Sequence, residues 1–249
     1  MLLCAALLAA CDERRPAPPP EETSRVTVVV EKEAARAARR AGIDLEDVAE
    51  TAVERVGRRI ALPETVVTIL VSRGRRVAAT GVGGFADPVS GEVSVFIDPG
   101  RPRLGRVLAR GVEPTVAHEL HHATRILDGP GFGNSVVEAI VTEGLADVFA
   151  LETFGRPPPP WTRALGPRAI CRWWARAQSR SRSRGTYDHS AWFFGTGRAL
   201  PNWAGYTIGY AVVRQYLRSH PSKTAADLVA TPADRIVAGA RLCGRRGRA

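Results

Sequence analysis

Val136 to Leu151 reads Val-Val-Glu-Ala-Ile-Val-Thr-Glu-Gly-Leu-Ala-Asp-Val-Phe-Ala-Leu, apolar nearly all the way round a helix. A helix of that kind has no solvent face and belongs inside a core. Its charges are Glu138, Glu143 and Asp147, all acidic, and a buried carboxylate without a partner is costly. The fold must therefore bring positive or metal-bound groups against this helix.

His118-Glu119-Leu120-His121-His122, a short way upstream, supplies such groups. Histidines four residues apart on a helix lie roughly 40° apart around its axis, so both imidazoles can grip one ion from the same side. Glu119, about 100° from His118, flanks that ion and is placed to act as a general base. His-Glu-x-x-His arises by chance roughly 0.006 times in a chain of this composition, so coincidence is a poor account of it. Val116, Leu120, Ala123 and Leu127 share the opposite face and bury it. Glu143 and Asp147 are also four apart. Glu143 can complete a His-His-Glu ligand set while Asp147 accepts a hydrogen bond from a ligand imidazole. Three protein ligands leave a zinc position open, the pattern of a catalytic site. Glu138 is a rival ligand, about 140° round from Glu143, and Asp147 can equally be a helix-surface acid. His121 reads as a polar neighbour of the site.

Elsewhere the chain places strands before helices. Val26–Val30 is strand-like, and Glu33 to Arg59 has the spacing of one or two helices. Val66–Val71, Val77–Val82 and Val93–Ile97 read as strands, with Asp87-Pro88-Val89-Ser90-Gly91 as a hairpin turn between the last two. Gly81, Gly83 and Gly84 read as strand-end or bulge glycines, since no Lys-Ser/Thr and no helix follow them. Helices are expected at Pro114–Leu127, Asn134–Phe154, part of Ala164–Arg180, Tyr206–Ser219 and Ala233–Leu242, with the Arg-Ser run around Arg172 to Arg184 as a solvated loop. That order implies an α+β fold with a mostly antiparallel sheet and a helical C-terminal half. With 45% hydrophobic residues the chain has material for a substantial core, which excludes wholesale disorder.

The N-terminus has its own texture. Leu2 to Ala10 is uncharged and apolar but too short to span a bilayer. Leu8-Ala9-Ala10-Cys11 resembles the lipobox of bacterial lipoproteins, which implies signal cleavage and lipidation of Cys11. The expected layout is a signal at 1–10, a Pro/Glu-rich tether at 11–24 and one domain at 25–249. The protein is then expected at the cell envelope, outside the cytoplasm and held to a membrane by its lipid. Cys171 and Cys243 remain; a disulfide and two separate buried thiols are both open, since sequence gives no distance. The net charge of +10, almost all arginine, reads as a solvated surface, and no nucleic-acid partner is expected, because aromatic residues are not interleaved with the arginines.

His-Glu-x-x-His, then twenty residues, then Glu143-Gly144-Leu145-Ala146-Asp147 resembles the gluzincin zinc peptidases. Val116 to Phe149, with Gly205-Tyr206-Thr207-Ile208-Gly209-Tyr210, is similar more closely to a family of small bacterial predicted zinc-dependent proteases. The resemblance implies a zincin-like fold, one Zn²⁺ on His118, His122 and Glu143, Asp147 supporting a ligand histidine, and a peptide or protein substrate. It also implies a hydrogen-bond donor to the oxyanion, for which Tyr206 is chosen over Tyr210 and His189 because it follows Gly205 at a helix start. By the same resemblance Val93–Ile97 is the expected substrate-binding edge strand. The alternatives are a zinc hydrolase of a non-peptide amide, a non-catalytic metal-stabilised envelope lipoprotein, and a di-iron bundle, which lacks its second Glu-x-x-His.

Overall fold

In the computed structural model, residues 25–72, 80–181, 187–196 and 200–243 are described. Residues 1–24 lie outside them, and with them the expected signal, tether and Cys11. Val77–Ala79 and the 182–186 part of the Arg-Ser run lie outside them too.

The architecture is α+β with a helical C-terminal half. Strand β1 (Val26–Val30) leads into helices α1 (Lys32–Arg40) and α2 (Leu45–Gly57), then β2 (Thr65–Val71), β3 (Val82–Ala86) and β4 (Val93–Ile97). The sheet order is β1-β2-β4-β3. The sheet is mixed rather than mostly antiparallel: β1–β2 and β2–β4 pair in parallel, and only β3–β4 is antiparallel. The reason is connectivity. Two helices intervene between β1 and β2, which is the crossover that parallel neighbours require, and β4 pairs with β2 because β3 takes the outer edge. Val93–Ile97 is thus an interior strand, and the edge beside it is β3. The third strand runs from Val82 with Gly83 and Gly84 in its middle, later than the sequence pattern places it.

The turn between β3 and β4 is built as its residues suggest. The Asp87 carboxylate accepts from the backbone of Val89 (2.9 Å) and Ser90 (2.8 Å), and Gly91 takes the positive φ of 70° that closes the hairpin. Residues 65, 67 and 69 of β2 and 93, 95 and 97 of β4 face inward, where helices cover them.

Helix α3 (Leu104–Asp128) crosses this layer. It begins ten residues before Pro114, where the sequence suggests a start. Leu108 and Val112 are fully buried in the added turns, and Gly111 passes so close to Val82 that a Cβ would collide with it. That packing carries the helix through a proline that leaves the Arg110 carbonyl without its helical donor. At the other end, the Arg125 guanidinium is 1% exposed and donates to the carbonyls of Val229 (2.7 Å) and Thr231 (3.1 Å). It ties the ligand-bearing helix to the C-terminal segment.

Helix α4 (Val136–Phe154) is buried on every side from Ala139 to Ala150, as its sequence demands. Around it pack α5 (Pro167–Ser181), α7 (Ala204–Ser219) and α8 (Ala233–Ala240), with the short α6 (His189–Phe194) against α7. Gly144 of α4 and Gly209 of α7 touch backbone to backbone, so that a Cβ on either would strike the other helix. The close crossing draws α7 over the middle of α4. Cys171 and Cys243 form a disulfide across 72 positions of sequence. The arginines from 172 to 180 are helical, not loop.

Candidate metal centre

Helix periodicity brings His118 and His122 to one face of α3, and the buried face of α4 brings Glu143 opposite. His118 Nε2 lies 3.0 Å from His122 Nε2 and 3.1 Å from Glu143 Oε2, and His122 Nε2 is 3.4 Å from the same oxygen. A tetrahedral ion with ligand bonds of about 2.0–2.1 Å spans donors about 3.3 Å apart, so the triangle has the size such an ion needs. These three residues form a group able to hold a metal. The donors are two imidazoles and a carboxylate, a set suited to zinc and its first-row neighbours.

The orientation of His118 supports the fit. Its Nδ1 stands 3.3 Å from Asp147 Oδ1, which also accepts from the Trp161 indole at 3.0 Å. With Nδ1 donating to Asp147, the Nε2 lone pair is the one that faces the triangle. Without an ion the proton inventory differs. Burial opposes charge on His118, yet hydrogen bonds to Asp147 and Glu143 and the nearby Glu119 raise its pKa well above the usual imidazole value. Burial alone would raise Glu143, but His122 and His118 hold it far below the usual carboxylate range. A proton held by His118 in the metal-free site is one that an incoming ion must displace. His122 Nδ1 is buried without a hydrogen-bond partner among the described residues, and its ring packs 5.3 Å from that of Phe132.

Glu119 is buried beside the triangle. Burial raises its pKa, against the pull of both imidazoles and of the Ala86 backbone hydrogen bond. A Cβ on Gly84 would run into its carboxylate. The glycine in mid-strand is what allows the base to lie against β3.

The remaining sequence candidates separate. The Tyr206 ring packs 5.0 Å from Phe193 and 6.4 Å from Trp161. Burial, with Glu143, Asp147 and Glu119 nearby, raises its hydroxyl well above the usual value, which keeps it protonated. Tyr210, one turn on, lines a groove with Glu152, Arg156 and Arg214 on another side of α4. His189 accepts at Nδ1 from, or donates to, Tyr187 at 3.2 Å and stacks on Phe193 at 4.4 Å; its ring also lies 5.9 Å from Phe132. Glu138 is no ligand. Its carboxylate accepts from the Ser135 backbone (2.9 Å) and its own N–H donates to Ser135 Oγ (3.2 Å), closing a capping box at the start of α4. His121 is fully buried with neither ring nitrogen partnered among the described residues, 5.1 Å from the Phe149 ring; burial first, then His122 and Arg125, keep it neutral. Sequence reasoning missed Trp161 and Phe132. Ser135-x-x-Glu138 was a readable signal for the cap, whereas Trp161 arrives from a 3-10 turn after Pro157–Pro160 with no local signature.

A family described as a predicted Zn-dependent protease matches residues 45–238, and the chain belongs to it. Among curated proteins, two of Bacillus subtilis (strain 168), both named as uncharacterized, are similar to it. YjfC is 29% identical over 163 residues, 56% of this chain and 49% of that protein. YjaZ is 29% identical over 128 residues, 49% of this chain and 48% of that protein. The chain thus spans about half the length of the curated relatives it matches. No solved structure matches it.

Proposed function

We propose that this member of the predicted Zn-dependent protease family hydrolyses peptide bonds at a zinc ion held by His118, His122 and Glu143. The observation that carries the reading is the donor triangle, with Nδ1 of His118 engaged by Asp147 and Glu119 held at its margin. When bound, the ion supplies Lewis acidity toward water and the scissile carbonyl. Glu119 accepts the proton of the attacking water and returns it to the departing amine, a task suited to a carboxylate whose pKa burial has raised. The Ala86 N–H and the space over Gly84 fix its position. The Tyr206 hydroxyl donates to the developing oxyanion, and the edge of β3, beside which no further strand lies among the described residues, receives the substrate backbone as an added strand.

The test pairs metal analysis with digestion of a peptide library. The parent should bind about one zinc per chain and cut peptides. Glu119→Gln should keep the metal and lose about 10²–10⁴ of the rate; undiminished cleavage by that variant would sink the mechanism.

We propose further that the chain sits at the cell envelope, anchored through Cys11. Leu8-Ala9-Ala10-Cys11 supports it, and the Cys171–Cys243 bridge suits an oxidising compartment. Mass spectrometry of the protein from its membrane fraction should find a lipid-bearing Cys11 as first residue. A chain that keeps Met1 and an unmodified Cys11 would overturn the anchor.

A further inference from the structure

Several arginines of this chain are ion-paired. Arg55, Arg58, Arg59, Arg101 and Arg156 each stand 2.9 to 3.7 Å from a carboxylate. Helix α5 is different, with Arg168, Arg172, Arg176 and Arg180 and no acid. The whole stretch from Thr153 to Tyr187 contains neither Asp nor Glu. Arg168, Arg172 and Arg176 are exposed and four residues apart, so they project from one face along about 12 Å of helix. Among the described residues no carboxylate comes within ion-pair distance of these three.

The face carries small side chains as well as basic ones. Ala175 and Ser179 are exposed between the arginines, and none of the large exposed apolar side chains lies on α5. Arg172 and Arg176 lay their guanidinium groups over the Trp173 ring, at 5.2 and 5.4 Å. That ring packs in turn 6.4 Å from Trp192. The indole therefore stiffens two of the three charges from beneath. The disulfide at Cys171 brings the segment around Cys243 to this helix, with Arg241 exposed on it. Like charges at four-residue spacing repel one another on a bare helix, so the row is at its least favourable when nothing anionic meets it.

We propose that this face of α5 docks on the anionic phospholipid headgroups of a membrane. Guanidinium groups pair bidentately with phosphate. A bilayer presents phosphates that move laterally under a fixed row of charges. Nucleic acid fits less well: single strands want exposed aromatic platforms, and here Trp173 is covered by its own arginines while Trp174 and Trp192 are buried. With no apolar side chain to insert, the helix rests on the headgroups instead of sinking between them.

The full chain is sedimented at low salt with vesicles of phosphatidylcholine alone and of phosphatidylcholine mixed with phosphatidylglycerol. Two triple variants carry the same loss of charge: Arg168→Gln, Arg172→Gln, Arg176→Gln on α5, and Arg36→Gln, Arg39→Gln, Arg40→Gln on the exposed face of α1. The parent should favour the anionic vesicles, and the α5 variant should lose about a hundredfold of that preference, each arginine contributing about fivefold. The α1 variant and an α5 variant with lysine at the three positions should keep most of it. If circular dichroism shows that the glutamine triple has lost helix, Arg172→Gln alone takes its place, with about a fivefold loss expected. Equal loss in the α1 and α5 variants would reduce the effect to net charge and overturn the proposal. So would unchanged binding by the α5 variant, or tighter α5-dependent binding to a single-stranded oligonucleotide than to the vesicles.

Discussion

Helices α4 and α5 are neighbours in sequence and in contact, and each carries charge of a single sign. α4 has Glu138, Glu143, Asp147 and Glu152 with no Lys or Arg, and α5 has four arginines with no acid. Their treatment by the fold is opposite. Every acid of α4 is matched: Glu138 by the backbone at Ser135, Glu143 by His118 and His122, Asp147 by His118 and Trp161, Glu152 by the Ala225 N–H at 2.9 Å. Three arginines of α5 face water. Burial makes a partner compulsory, because a desolvated charge left alone costs far more than a solvated one. A one-signed helix in a core therefore announces a site, whereas a one-signed helix on the surface announces only a potential.

Substitutions on the two helices probe that contrast. Glu143→Ala should strip the metal, with a loss of affinity beyond the roughly 10–100-fold typical of an outer partner, read by zinc titration against a competing chelator. The same titration on the parent should show affinity rising with pH through the neutral range. The sign follows from His118: its pKa is raised in the metal-free site, so its proton competes with the ion until the pH passes that value. Asp147→Asn should keep the fold and lower metal affinity by about 10–100-fold. An unchanged affinity would mean that Asp147 does not orient His118. At the far end of the scale, Arg168→Gln on α5 should shift the unfolding free energy by no more than about 0.5 kcal/mol. A larger shift, measured by urea denaturation, would erase the distinction between the helices.

The same contrast explains what could be read from sequence. His118, Glu119, His122, Glu143 and Asp147 lie at spacings fixed by helix geometry alone, and the two acids at the middle of a buried helix, Glu143 and Asp147, pointed to the group they had to meet. The hairpin at Asp87–Gly91 was equally local. What escaped was long-range. Nothing near β1 or β4 in sequence states that both pair in parallel with β2, and nothing near Pro114 tells that Leu108 and Val112 will be buried. Gly84 owes its position to Glu119, thirty-five positions away, and Trp161 owes its role to Asp147. The capping box of Glu138 with Ser135 is local too, and it takes the carboxylate away from ligation.

The Cys171–Cys243 bridge closes α5, α6, α7 and α8 into a covalent ring that holds His189 and Tyr206, while His118, His122 and Glu143 lie before it. If the chain cuts peptides, its own surface loops are within range of a neighbouring copy. A single cut between Arg172 and Leu242 would release nothing, because both pieces stay joined through sulfur. Such a nicked molecule migrates on a non-reducing gel as one chain and parts only when a thiol is added, so autolysis in this half stays hidden until the sample is reduced.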